Sequence, residues 1–239
     1  MNTTVVVITG TLCVIFWIIA YFAIIYRGFK DRTYGMPVAA LAANLSWEAA
    51  YSFFLDPFGD YIHTLSIPCF FIDLVIAGQC LVFGKSQAAT PLLRTWFRPL
   101  VCVSVAIAFP VVYLGFSEFH DPAGEYTGFG INFMMSFLFI AMLERRGNAD
   151  GQSIYIAISK WLGTFFSYIA TALTVTTSAT QPLPASLWSF IDITATHKTY
   201  PLTPLINVMY LVTFLTDILY IFLLRSRMRS LGIAVWRRI

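Results

Sequence analysis

The sequence predicts an all-α, polytopic membrane protein: a bundle of seven transmembrane helices, N-terminus outside and C-terminus cytoplasmic. Three observations predict it. The 239-residue chain is 58% hydrophobic and 11% charged, about half the charged share of a soluble domain. Its apolar residues gather in seven stretches near the ~20 residues that a helix needs to cross a hydrocarbon core. Its basic residues fall almost entirely in alternate loops.

The stretches run, in order, over 3–26, 34–55, 63–84, 99–117, 128–143, 153–177 and 203–224. The first has no basic region before it and no small-residue cleavage site after it, so it reads as a retained span rather than a signal peptide. The second follows Tyr34-Gly35-Met36-Pro37 and carries Glu48; the third carries Asp73. The fifth is the shortest, bracketed by Gly128, Gly130 and Glu144. The sixth holds Lys160 and the seventh Asp217. The longest connection, 178–202, contains prolines and Trp188-Ser189-Phe190, and suits either a lid at the membrane interface or a plain connector. No internal repeat is visible, Gln181-Pro182 stands alone, and residues 1–239 read as a single transmembrane domain with no room for a sizeable soluble one.

Orientation follows from Lys and Arg. The loops 27–33, 85–98 and 144–152 and the tail 225–239 hold 13 of the 15 basic residues, from Arg27 to Arg238, whereas the alternate loops hold only Lys198. The positive-inside rule sets that face in the cytoplasm. The other loops are acidic or polar, with Asp56, Asp60, Glu118, Asp121, Glu125 and Asp192 and the histidines His63, His120 and His197. The separation of these histidines in sequence and their loop positions suit solvated or structural roles better than a metal site of known ligand spacing. Cys13, Cys69, Cys80 and Cys102 all lie in apolar spans and read as free thiols packed among helices. No metal and no cofactor is expected, and without a basic patch interleaved with aromatics neither is nucleic-acid binding. The lipid bilayer is the one partner composition demands.

Three carboxyls break the apolar pattern: Glu48, Asp73 and Asp217. An ionisable group inside a span costs ~3 kcal/mol on insertion scales, so such residues usually face the protein interior and serve a function. At ~1.5 Å per residue all three fall in the central third of a ~30 Å core, where they can line one cavity. On the second span Asn44, Trp47, Glu48 and Tyr51 share a face at i, i+3, i+4 and i+7. On the seventh, Asn207, Tyr210, Phe214, Asp217 and Ile221 recur at three- and four-residue steps, and Phe70 lies one turn from Asp73 on the third. Polar groups of this kind can simply join helices. Two acids, each within an aromatic stripe, suit chemistry better. A carboxyl in an apolar pocket has its charged form disfavoured and can act as a general acid, while aromatic faces stabilise a cation. Lys160 lies near the depth of Asp217, either as its buried ion-pair partner or snorkelling to the cytoplasmic face.

The run Asn44-Leu45-Ser46-Trp47-Glu48 after Tyr34-Gly35-Met36-Pro37, with an aspartate late in the last span, resembles the small seven-helix membrane terpene cyclases of meroterpenoid pathways. These include the paxilline- and pyripyropene-type fungal cyclases and bacterial relatives acting on farnesylated indoles. The resemblance covers nearly the whole chain. It implies metal-independent protonation of an epoxide or terminal alkene of a farnesyl-type chain on an aromatic partner, then polycyclisation through carbocations. By position it makes Glu48 and Asp217 the catalytic acids. Asn44, Trp47, Tyr51, Phe70, Asp73, Asn207, Tyr210 and Phe214 are then expected around the substrate. The chain carries neither a DDxxD nor a DxDD motif, and Asp56-Pro57-Phe58-Gly59-Asp60 has the wrong spacing. The expected membrane is the plasma membrane in a bacterium and the endoplasmic reticulum in a fungus.

Two other classes compete. A proton-coupled transporter or a rhodopsin-like pump would also use seven helices and buried acids. A retinal protein, however, needs a lysine in its last helix, where this chain has Asp217, and transporters more often show repeated halves. A non-catalytic scaffold or receptor would leave the buried acids to packing alone.

Overall fold

The computed structural model describes residues 3–55, 60–177 and 183–239. Asp56 and Gln181-Pro182 lie outside the described residues, as does the side chain of His63. The α-helices among the described residues are, in order, α1 (Thr3–Asp31), α2 (Val38–Phe53), α3 (Asp60–Phe83), α4 (Pro91–Glu118), α5 (Glu125–Arg146), α6 (Ile154–Thr176), α7 (Leu187–Thr196) and α8 (Pro204–Ser230). Short 3-10 turns cover Gly84–Gln87 and Val235–Arg237, and there is no strand among the described residues.

The protein is an all-α, multi-pass membrane protein. Among the described residues six helices, α1, α3, α4, α5, α6 and α8, are long and apolar enough to cross a bilayer. The expected second span is shorter than its apolar stretch: α2 has 16 residues, ~24 Å of helix against a ~30 Å core. The reason is Pro37. It is the N-cap, with ψ at 139°, and the residue before a proline is itself driven to extended backbone. Thr33, Tyr34 and Met36 are therefore a buried, non-helical lead into α2.

Other helices overrun the expected bounds. α1 reaches Asp31, α4 begins at Pro91 and α8 ends at Ser230. Each extension carries basic residues, such as Lys30, Arg94 and Arg229. Lys and Arg are good helix formers, so helical hydrogen bonding does not stop where the apolar run does. Side-chain caps mark the starts: Thr90, Ser153, Ser186 and Thr203 each accept from a backbone N–H in the first turn of α4, α6, α7 and α8.

Packing forms a ring. α1 lies against α6 and α3, α2 against α3, α4 and α5, and α8 against α5 and α6. α4 rests outside α2 and buries few side chains, among them Val101, Val112 and Phe116. α7 fills the long connection as a ten-residue helix. Leu187 and Trp188 are exposed on it, and it is tied to α8 where Asn207 Nδ2 donates to the Thr194 carbonyl (2.9 Å).

A polar clasp closes the basic end of the bundle. Arg238 donates to Asp31 (2.7 Å), to the Ala149 carbonyl (2.8 Å) and to the Gln152 carbonyl (3.0 Å). Burial holds the Arg238 guanidinium below its usual range, against the opposing pull of the Asp31 carboxylate.

Candidate active site

The α2 stripe is the scaffold of the site. Asn44, Trp47, Glu48 and Tyr51 all line one cavity of about 680 Å³ enclosed by α1, α2, α3, α5 and α6, within the usual range for small-molecule sites of ~300–1,000 Å³. α1 contributes Trp17 and Tyr21, α5 contributes Glu125, Phe129 and Asn132, and α6 contributes Thr171. Val7, Thr11 and Ile15, four residues apart on α1, line the cavity and are exposed. Among the described residues the cavity therefore opens beside α1.

Trp47 and Tyr51 stack with ring centroids 4.5 Å apart, and Phe116 packs on Trp47 at 6.1 Å. The indole is fixed at both edges. Its Nε1 donates to Thr127 Oγ1 (3.0 Å), and that hydroxyl donates to Asp121 Oδ2 (2.9 Å). Gly124 sits under the ring with φ of +69°, and a Cβ there would lie 2.7 Å from Trp47 Cζ2. Only glycine meets both demands, a left-handed backbone and contact with the indole.

Asp121 belongs to this support rather than to an exposed outer loop. It is 1% exposed and accepts from the Tyr126 and Thr127 amides (3.1 and 2.8 Å) and from the Tyr200 hydroxyl (2.9 Å). Two orphan amides at the start of α5 are thereby satisfied. Burial, with the Asp121 carboxylate beside it, pushes the Tyr200 phenol up, so it stays a hydrogen-bond donor.

Of the three carboxyls singled out in the sequence, Glu48 alone lines the cavity. Its side chain is buried and its Oε2 has no hydrogen-bond partner among the described residues. Asp73 is fully buried one layer behind, where its Oδ2 accepts from Asn44 Nδ2 (2.6 Å). Asn44 Nδ2 also reaches the Tyr21 hydroxyl (2.9 Å). Asp217 is elsewhere. Both of its oxygens accept from Lys160 Nζ at 2.8 Å, with Ser136 Oγ a further acceptor at 2.7 Å. Lys160 is thus buried in a pair and does not snorkel. The pair borders the cavity indirectly: Lys160 Nζ lies 5.9 Å from the Trp17 ring centroid, and Ser136 Oγ donates to the Asn132 carbonyl. Three acids in one cavity give way to one acid on the wall and two behind it.

The remaining expected contacts divide similarly. Phe70 packs edge-on against Phe53 and Phe71. Asn207 accepts from Tyr168. Tyr210 packs against Phe129 and Tyr168, and Phe214 against Trp161 and Phe165. None of these four lines the cavity. α8 packs on α5 and α6, and those helices stand between its stripe and the cavity.

Sequence reasoning overlooked Glu125, Trp17, Tyr21 and Asn132. Glu125 read as a loop residue, yet it opens α5 and lines the cavity with Gly128, Asn132 and Met135. Their steps of three, four and three residues were a signal equal to that of α2.

Fold and cavity together define the class: an all-helical, multi-pass membrane protein with a carboxyl set in an aromatic-lined internal pocket. A family model for Pyr4-like transmembrane terpene cyclases matches residues 2–230. The chain belongs to that family. It is 27% identical over 165 residues to the Pyr4-family terpene cyclase mfmH of Annulohypoxylon moriforme, covering 67% of this chain and 66% of that protein. It is 25% identical over 158 residues to asnovolin H synthase nvfL of Aspergillus novofumigatus, covering 65% of each. It is 26% identical over 163 residues to terpene cyclase pyr4 of Aspergillus fumigatus, covering 64% of each. The chain thus spans slightly under two thirds of the length of these curated relatives. No solved structure matches.

Proposed function

We propose that the protein is a membrane-bound terpene cyclase. It protonates an alkene or epoxide of a farnesyl-type chain carried on an aromatic group such as indole, and drives metal-independent polycyclisation through carbocations. The observation that carries this reading is Glu48: a buried carboxyl on the wall of an aromatic-lined cavity, with no partner for Oε2 among the described residues. A carboxylate in that position would be poorly solvated, so the group suits delivery of a proton to a weakly basic carbon or oxygen. Trp47 and Tyr51 then stand where aromatic faces can stabilise the cation that follows. The opening beside α1 suits a substrate delivered from the bilayer.

In this reading α2 is the seventh crossing, short because the buried lead 33–37 completes its path, and the basic end of the bundle is cytoplasmic. Asp217 acts through Lys160: it neutralises the ammonium that braces Trp17 and the Ser136–Asn132 wall.

The test uses membranes containing the protein, incubated with farnesyl-indole and epoxyfarnesyl-indole, with products identified by NMR because cyclisation leaves mass unchanged. We expect Glu48→Gln to lower turnover by about 100-fold or more, the usual weight of a general acid, without lowering membrane expression. Normal turnover by that variant would remove Glu48 from the chemistry.

A further inference from the structure

A cyclisation that starts by adding a proton ends by losing one from carbon, so a cavity holding a donor also needs an acceptor. We propose that Glu125 is the base that takes the terminating proton. The inference rests on the cyclase reading above and adds a second carboxyl to its site.

Glu125 and Glu48 line the same cavity from different helices and differ in their surroundings. Glu48 Oε2 is buried and has no hydrogen-bond partner among the described residues, which suits an acid. Glu125 Oε1 accepts from Thr171 Oγ1 (2.9 Å), and that hydroxyl lies 3.2 Å from Tyr210 OH. Its Oε2 is buried and has no hydrogen-bond partner among the described residues. The residue also opens the 22-residue helix α5, where the backbone dipole favours negative charge. One oxygen is thus held as an acceptor and the other is unoccupied. Two carboxyls in one site with different partners can divide the roles of acid and base.

The steps balance. The Glu48 O–H bond breaks as its proton bonds to the alkene carbon, or to the epoxide oxygen as that C–O bond opens. Each ring closes as a π pair bonds to the cationic carbon. At the last cation a C–H bond breaks, its electron pair becomes the new double bond, and the proton goes to Glu125. Substrate and product are isomers, and proton exchange with water restores both carboxyls.

Glu125→Gln preserves shape and removes the acceptor. We expect it to consume substrate within about tenfold of wild type while the native product falls about tenfold or more. Regioisomeric alkenes and alcohols formed by water capture should replace that product. Thr171→Val, which deletes only the hydroxyl donor, should shift products the same way to a smaller extent; it decides the matter if the Gln variant does not fold. An unchanged product profile in folded Glu125→Gln would overturn the proposal. So would complete loss of consumption by folded Glu125→Gln, since the residue would then act before the first cation. Glu48→Gln serves as the control on the underlying reading: normal consumption there defeats the proton-donor assignment whatever Glu125 does.

Discussion

Trp47 illustrates how closely the cavity is specified at the level of single side chains. Its indole is gripped by Thr127, stacked on Tyr51 and seated on Gly124. Gly124→Ala would place a methyl against the indole and a side chain on a left-handed backbone. We expect a loss of about 1–3 kcal/mol, read as a lower unfolding temperature in detergent, with a fall in turnover because the ring shifts. Gly10 is the opposite case. It lines the cavity, and a Cβ there would meet nothing within 4 Å. Gly10→Phe should leave the unfolding temperature nearly unchanged yet fill part of the chamber. Conversion of a farnesyl substrate should then fall about tenfold or more while a shorter prenyl chain is spared. Equal conversion of both chains would mean that the substrate does not reach Gly10.

Between helices the decisive feature is the Lys160–Asp217 pair joining α6 to α8. Removing one member of a buried pair leaves an uncompensated charge and costs about 3–5 kcal/mol, whereas replacing both by apolar residues is often neutral. Asp217→Asn should therefore unfold the protein easily and inactivate it. The double variant Lys160→Met with Asp217→Leu should regain stability to within about 1–2 kcal/mol of wild type and keep a measurable Glu48-dependent turnover. A folded but inactive double variant would instead give Asp217 a direct part in the chemistry. The α2 stripe was legible beforehand because Asn44, Trp47, Glu48 and Tyr51 share one helix and one local periodicity. The α8 stripe was equally periodic, yet which neighbour it met was not written in α8.

Across the whole molecule, a ring of helices carries a lipid-facing exterior and an aromatic-lined chamber. That arrangement explains why a charge-poor chain tolerates buried carboxyls: each is held behind or on the chamber wall and away from lipid. The sequence by itself determined the class, the long apolar helices and the Glu48 face, because hydropathy and helical periodicity are properties of contiguous residues. It also carried the helix ends imperfectly, since basic residues leave the apolar run without leaving the helix, and Pro37 delays the start of α2 inside an apolar run. Only the tertiary structure decided that Asp217 meets Lys160, that Asp73 stands behind Asn44, and that Glu125 faces the same chamber as Glu48. Those outcomes depend on which helices pack together and on the angle at which each is turned, and both are set by contacts between residues far apart in the chain.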